Sequence, residues 1–347
     1  MRTPALPLPS SLSHEDDAAL TELYRRGTPA NTLRAWERDL AYITAWKRAV
    51  FDAPLSWPEA EGVALRFVLD HACDLTGKEA TSAGAAAAEM ISLGLRKSLA
   101  CPAPATLDRR IASWRAFHRM RNLPNPFTAP LIAQARGKAR RAAARPPAPK
   151  SPRPVTRALL ETLLGSCDDS LRGLRDRAIL MLAFGSGGRR RSEVTALRHE
   201  DILTNDFATK GLIWLRLIET KTTDKSRAPK LPLKGRAARA VMGWMGAAEI
   251  RQGPLFRPVS RADRVLNRAL APDAIRVILR HRLQLAGLPA DYATPHGLRA
   301  GFLTQAALDG APLAAAMKLS LHRSALQAQR YYADIEIEEN PATDLLG

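Results

Sequence analysis

The chain is poor in acidic side chains, in cysteine, in aromatic residues and in long apolar runs. Of its 347 residues 34 are Asp or Glu against 52 Lys or Arg, a surplus of 18 positive charges. Such a surplus spreads a positive field over much of the surface and points to a polyanionic partner. The longest apolar stretch, near Ile179 to Phe184, falls far short of the roughly 20 residues of a membrane-spanning helix, so nucleic acid is expected rather than a membrane. The three cysteines, Cys73, Cys101 and Cys167, fit no zinc spacing and suit a reducing compartment, where they serve as packing. The opening MRTPALPLPS lacks the basic start and apolar core of a signal peptide. Residues 1–15 are therefore read as a disordered leader on a cytoplasmic, nucleoid-associated protein.

Hydrophobic residues make up 46% of the sequence, a globular composition, and the length predicts two domains. From Thr32, a candidate N-cap, apolar residues at Leu33, Trp36, Leu40, Ile43, Trp46 and Val50 predict an amphipathic helix. A second helix is expected after Trp57-Pro58, an Ala-rich third over about 80 to 100, and a fourth through Leu107, Ile111, Trp114 and Phe117, stopped by LPNPF. Residues 16–135 thus form a helical domain. On its outward faces Arg109, Arg110, Arg115, Arg119 and Arg121 either contact phosphates or are simply solvated. The stretch 136–157, RGKARRAAARPPAPKSPRPVTR, has eight basic residues, five prolines and no acid, and reads as an extended linker, either drawn to a phosphate backbone or a plain solvated spacer.

Residues 158–335 return to helical patterns around one small sheet. The break GSGG at 185–188 is neither a dinucleotide fingerprint nor a Walker loop, because no GK[ST] follows it. LIWLRLI at 212–218 and RAPKLPL after the turn ETKTTDK predict an antiparallel hairpin. The fold class is mainly α with a small antiparallel β-sheet.

Five segments of this second domain share one chemistry. GGRRRSEV carries Arg190 ahead of a helix start, with Glu193 either pairing with an arginine or favouring the helix N-terminus. Lys221 sits at the hairpin tip. Thr-Pro-His-Gly-Leu-Arg puts His296 and Arg299 on one helix face. His322 lies in SLHRS, and Tyr331 and Tyr332 follow nine and ten residues later. Phosphodiester exchange without a metal needs two guanidiniums on the non-bridging oxygens, for which Arg190 and Arg299 are suited. It needs a nucleophile that conserves bond energy, such as the Tyr331 phenol. A proton donor to the leaving 5′ oxygen and groups that bind phosphate or relay protons complete it, and Lys221, His296 and His322 suit these roles.

These residues resemble the tyrosine recombinases, the group of phage integrases and Xer-type chromosome-dimer resolvases. The matching motifs are G-x-R-x-S-E (Gly188, Arg190, Ser192, Glu193), Lys221 in the hairpin, H-x-x-R (His296, Arg299), the second-histidine position His322, and Tyr331. Leu321 stands where the family usually has glycine before the second histidine, and Arg189 and Arg191 flank the first arginine. Tyr332 is the rival to Tyr331, and Lys225 the rival to Lys221. The resemblance covers about 155 to 340 and implies an N-terminal core-binding domain that closes with the catalytic domain as a C-shaped clamp on double-stranded DNA.

It also implies Tyr331 attack to give a 3′-phosphotyrosyl link, a free 5′ hydroxyl that attacks the partner duplex, a Holliday junction, and neither cofactor nor metal. A homotetramer on DNA is implied, with an accessory DNA-bending protein or second recombinase as further partners; the acidic, partly apolar tail 336–347 either docks on a neighbouring subunit's basic surface and joins the tetramer or is a plain terminal helix. The alternative functions are a type IB topoisomerase and a DNA-binding regulator without catalysis.

Overall fold

The computed structural model describes residues 13–144, 150–218 and 228–332. Contacts divide it into two compact units, Met1–Pro147 and Ala148–Gly347. The first contains six helices among its described residues: α1 (His14–Gly27), α2 (Ala30–Phe51), α3 (Glu61–Asp70), α4 (Ser82–Ser92), α5 (Pro104–Met120) and α6 (Pro130–Ala142). The scarce aromatics are concentrated at its centre. Trp46, Phe67, Trp114 and Phe127 meet edge to face with centroids 4.8 to 5.3 Å apart, a geometry that contributes about 0.5–1.5 kcal/mol per pair beyond area burial.

Several expectations for this unit need correction. Helix α1 already begins at His14, where the Ser13 side chain accepts from the Asp16 backbone N–H, so the expected leader overran its first residues. The N-cap of α2 is Pro29, three residues before the expected Thr32, and the Pro29 carbonyl accepts from Thr32 and Leu33. The Ala-rich helix stops at Ser92, because Gly94 turns left-handed (φ 69°) and hands the Leu95 N–H to the Met90 carbonyl.

Three of the five arginines assigned to outward faces are structural. Arg109 pairs with the buried carboxylate of Asp39, Arg110 lies 3.2 Å over the Tyr42 ring, and Arg121 stacks 3.4 Å over Trp57. Arg115 and Arg119 are exposed. Nor is 136–157 an extended linker throughout. Residues 136–142 belong to α6, which precedes the first proline of the run and buries Ile132 and Ala139.

The second unit is built on α8 (Leu171–Gly185), whose Ile179, Leu180 and Leu182 are fully buried. Helices α7 (Arg157–Gly165) and α9 (Arg191–Ala196) flank it in sequence. The sheet follows: β1 (Ile202–Leu203), the short α10 (Phe207–Lys210), β2 (Leu212–Arg216) and β3 (Lys230–Lys234), paired antiparallel in the order β1-β2-β3. The expected hairpin is present, in register from Leu212 opposite Lys234 to Arg216 opposite Lys230. Alternation turns Leu231 and Leu233 into the core and leaves Lys230 and Lys234 outside. Two-residue β1 is too short to carry a periodicity signal, and the sequence did not predict it.

Helix α11 (Gly235–Ala247) packs on α8, and α12 (Pro272–Leu285), α13 (Pro295–Leu308), α14 (Leu313–Ser320) and α15 (Ala325–Gln329) complete the unit. A buried charge network centres on Asp176 in α8. One carboxylate oxygen accepts two bonds from Arg175 at 2.7 and 2.9 Å, the other two from Arg282 at 2.8 and 2.9 Å. Arg282 also donates to the Ser166 carbonyl at 2.6 Å, fixing the end of α7. Among the described residues no helix is long and apolar enough to cross a membrane.

Candidate active site

The break after α8 is a close approach of three chain segments. Gly187 (φ 98°) and Gly188 (φ 71°) are left-handed. A Cβ on Gly187 would lie 2.4 Å from the Leu319 carbonyl, and one on Gly188 would lie 2.4 Å from the Arg299 Cα. Only glycine meets both the backbone conformation and the space. The turn thereby brings the start of α9 against α13 and the end of α14.

Arg190 leaves this turn as the N-cap residue of α9, in extended conformation. Its backbone N–H donates to Glu193 Oε2 at 3.1 Å and its Nη1 to Glu193 Oε1 at 2.5 Å. Both functions expected of Glu193 are therefore met at once. The carboxylate is buried, whereas 37% of the Arg190 side chain stays exposed, so the fork is held on one side and open on the other.

Helix α13 supplies His296 and Arg299. Proline at its first turn presets the backbone, and the chain from Ser151 to Val155 is stitched along its start. Thr294 N–H donates to Ser151 Oγ, and Val155 N–H to the Gly297 carbonyl. A Cβ at Gly301 would fall 1.9 Å from the Val155 carbonyl. Arg299 is only 3% exposed. Its Nη1 donates to the Gly188 carbonyl at 3.0 Å and its Nε to His322 Nε2 at 3.2 Å, while Nη2 is buried with no protein acceptor. Burial, then Arg190 and Arg189, bring its pKa down to about 10, so it stays cationic at neutral pH.

His322 follows Leu321, which is left-handed (φ 54°) at the end of α14. The turn usually made by glycine is thus retained with a leucine in it, a conformation that costs about 1–2 kcal/mol for a residue with a Cβ. Because His322 Nε2 accepts from Arg299, the ring proton is assigned to Nδ1, which donates to Ser320 Oγ at 2.8 Å. Burial, followed by Arg299 and Arg190, lowers its pKa to about 4. Burial also lowers His296, with Lys150, Arg299 and Arg190 adding to the effect.

The two tyrosines differ sharply. Tyr332 is 3% exposed and its hydroxyl donates to the Ala311 carbonyl at 3.1 Å. Its hydroxyl is already used inside the fold. Tyr331 is half-buried against the cluster of Leu303, Ala316 and Tyr332, and its phenol is one of the groups acting electrostatically on Arg299. Lys221 and its rival Lys225 lie outside the described residues, in the segment between β2 and β3.

Arg190, His296, Arg299, His322 and Tyr331 are thus brought into one electrostatic neighbourhood. Two features escaped sequence reasoning. Arg189 is buried beneath this group, and Lys150 acts on His296. The run of three arginines signalled the first, whereas Lys150 looked like any other linker charge. Among the described residues no three His, Cys, Asp or Glu side chains converge as metal ligands. What does converge is a pair of guanidiniums, two imidazoles kept neutral near pH 7 and a phenol, a set suited to holding a phosphodiester and attacking it.

The family model described as the phage integrase family matches residues 155–337. The chain is 30% identical over 327 residues to tyrosine recombinase XerC of Rhodospirillum centenum, covering 91% of this chain and 80% of that one. It is 31% identical over 183 residues to the XerD homolog integrase/recombinase of Selenomonas ruminantium, covering 50% and 52%. The match thus spans about half the length of that second relative. Among solved structures, the Tn1549 transposon integrase in complex with circular intermediate DNA superposes with TM-score 0.54 at 15% identity, over 92% of this chain and 97% of that one. XerH recombinase bound to palindromic difH substrate gives 0.54 at 14% identity, over 96% and 85%. At those identities the likeness is one of fold, and it agrees with the mainly helical architecture and small antiparallel sheet. The extent of the family match and the identity to XerC together place this chain in the phage integrase family, the tyrosine recombinases.

Proposed function

We propose that the protein is a site-specific DNA recombinase in which Tyr331 attacks a DNA phosphate. The phenol oxygen forms a bond to phosphorus, the bond to the 5′ oxygen breaks, and the product is a 3′-phosphotyrosyl link with a free 5′ hydroxyl. Arg190 and Arg299 neutralise the non-bridging oxygens as charge builds in the transition state. His322, held against Arg299, and His296, on the same face of α13, bind phosphate oxygens or relay the phenol proton. Lys221 donates the proton that the leaving 5′ oxygen takes up. That hydroxyl then attacks the corresponding link in a partner duplex, and two rounds of exchange pass through a Holliday junction.

The observation that carries this reading is the state of Arg299. It is a buried cation with two donors committed to His322 and Gly188 and a third, Nη2, without a protein acceptor. A buried guanidinium is normally fully paired, so the open donor suits an anionic ligand. The surplus of 18 positive charges suits the same partner on a larger scale. Four subunits on two DNA sites, joined through the acidic segment 336–347, complete the proposed assembly, with an accessory DNA-bending protein or second recombinase as further partners.

A duplex carrying the protein's own recombination site, nicked close to the scissile phosphate so that the released fragment diffuses away, tests the chemistry. A covalent protein–DNA complex is expected with the native chain and none with Tyr331→Phe. Absence of any complex with the native chain would sink the proposal. Exchange between two such sites, rather than relaxation of supercoils alone, distinguishes a recombinase from a topoisomerase.

A further inference from the structure

We infer that Arg189 is a positioning residue for strand cleavage, a buried clamp that ties the end of α14 to the Arg190–Glu193 pair and so sets His322 against Arg299. The inference rests on the recombinase reading of the site. Arg189 precedes the motif arginine, and only 1% of its side chain is exposed. Its Nη2 donates to the Leu319 carbonyl at 2.6 Å and, more weakly, to the Gly187 carbonyl at 3.4 Å. Nη1 lies 3.7 Å from Glu193 Oε2, on the carboxylate whose other oxygen holds Arg190.

Leu319 is in the last turn of α14, where carbonyls have no partner within the helix and carry its partial negative charge. Two residues separate this anchor from His322, and both are constrained. Ser320 is fully buried with its hydroxyl on His322 Nδ1, and Leu321 holds the left-handed conformation that a side chain disfavours. The Arg189 bond holds the helix end in the one arrangement that delivers the His322 ring to Arg299. Packing alone does not explain an arginine here. Its Nε and Nη1 are buried without hydrogen-bond partners, and an apolar side chain would fill the space without that penalty. The chain therefore joins the two catalytic segments, 190–193 and 319–322, through one cation.

Arg189→Met, measured in single-turnover cleavage of the nicked substrate at saturating DNA, is expected to slow cleavage about tenfold or more. Its DNA affinity should stay at the native level, because the side chain touches no solvent. Adding Leu321→Gly, which removes the side chain that opposes the turn, should restore most of the lost rate. A merely structural role would not produce that rescue. Native cleavage rate in folded Arg189→Met, a loss confined to DNA affinity, or no recovery in the double variant would each overturn the inference. If Arg189→Met does not fold, Arg189→Gln, too short to reach Leu319 yet polar, is held to the same outcomes. Failure of the native chain to form the covalent complex would instead remove the recombinase reading itself.

Discussion

Replacing Arg299 by lysine keeps the positive charge and removes the fork. In the native site the guanidinium donates to Gly188 through Nη1 and to His322 through Nε, and its Nη2, buried without a protein acceptor, is the donor proposed for the DNA phosphate. A lysine ammonium on a flexible stem cannot span all three. If it keeps the phosphate, the Gly188 carbonyl and His322 lose their donor, and leaving a buried acceptor unsatisfied costs about 1–3 kcal/mol of stability. If it keeps Gly188, the transition state loses a preorganised donor, which in comparable sites costs about 2.7–4 kcal/mol, or a factor of about 10²–10³ in rate. The expected phenotype of Arg299→Lys is therefore a fall of that order in single-turnover cleavage of the nicked substrate. DNA affinity and its salt dependence should change little, because the charge remains. A lysine variant cleaving within about threefold of the native rate would mean that charge alone suffices, and that the open Nη2 donor has no part in the chemistry.

Asp176→Asn keeps shape but removes the buried carboxylate that pairs with both Arg175 and Arg282, so the second unit should lose about 3–5 kcal/mol, read from the shift of its denaturant midpoint; an unchanged midpoint would show that the network is neutral. Gly188→Ala forces a side chain into a left-handed position 2.4 Å from the Arg299 Cα. It should cost about 1–3 kcal/mol and depress cleavage more than Gly211→Ala, where the same conformation (φ 59°) meets open space, so equal effects in the two variants would contradict the proposed close approach. His71 and His322 have folded pKa values lowered to about 3 and about 4 from an ordinary 6.5, mainly by burial. As pH falls below about 6.5 the unfolded chain takes up these protons first. Stability should thus be full above that value and decline as pH drops toward the folded pKa values, with a slope already visible above about pH 5, where carboxylates stay ionised. A denaturant midpoint that is flat from pH 7 to about 5 would contradict this.

The fold class and most of the side chains that converge in the candidate site were legible in the sequence for a common reason. Periodic faces such as Leu107–Ile111–Trp114 and fixed spacings such as His296–Arg299 are local properties that one chain segment carries by itself. The features that escaped depend on contacts between distant segments. Glycines 187 and 188 looked like a plain break because their neighbours, Leu319 and Arg299, lie more than a hundred residues away. Arg110 and Arg121 looked like surface charges because nothing local reveals the Tyr42 and Trp57 rings beneath them. The basic stretch 136–157 was read through its composition, which its prolines dominate. Its first residues nevertheless complete a helix, and Ser151 to Val155 line the start of α13. Tyr331 and Tyr332 were separable by register alone in the sequence, and the structure adds a physical difference, a hydroxyl committed to Ala311 in one and not in the other.

That difference can be read directly on the protein. The covalent complex formed with the nicked duplex is digested with nuclease and protease, and the peptide bearing the residual nucleotide is sequenced by tandem mass spectrometry. The nucleotide is expected on Tyr331, with Tyr332→Phe still forming the complex; a nucleotide on Tyr332, or a complex that persists in Tyr331→Phe, would show that the nucleophile has been misassigned.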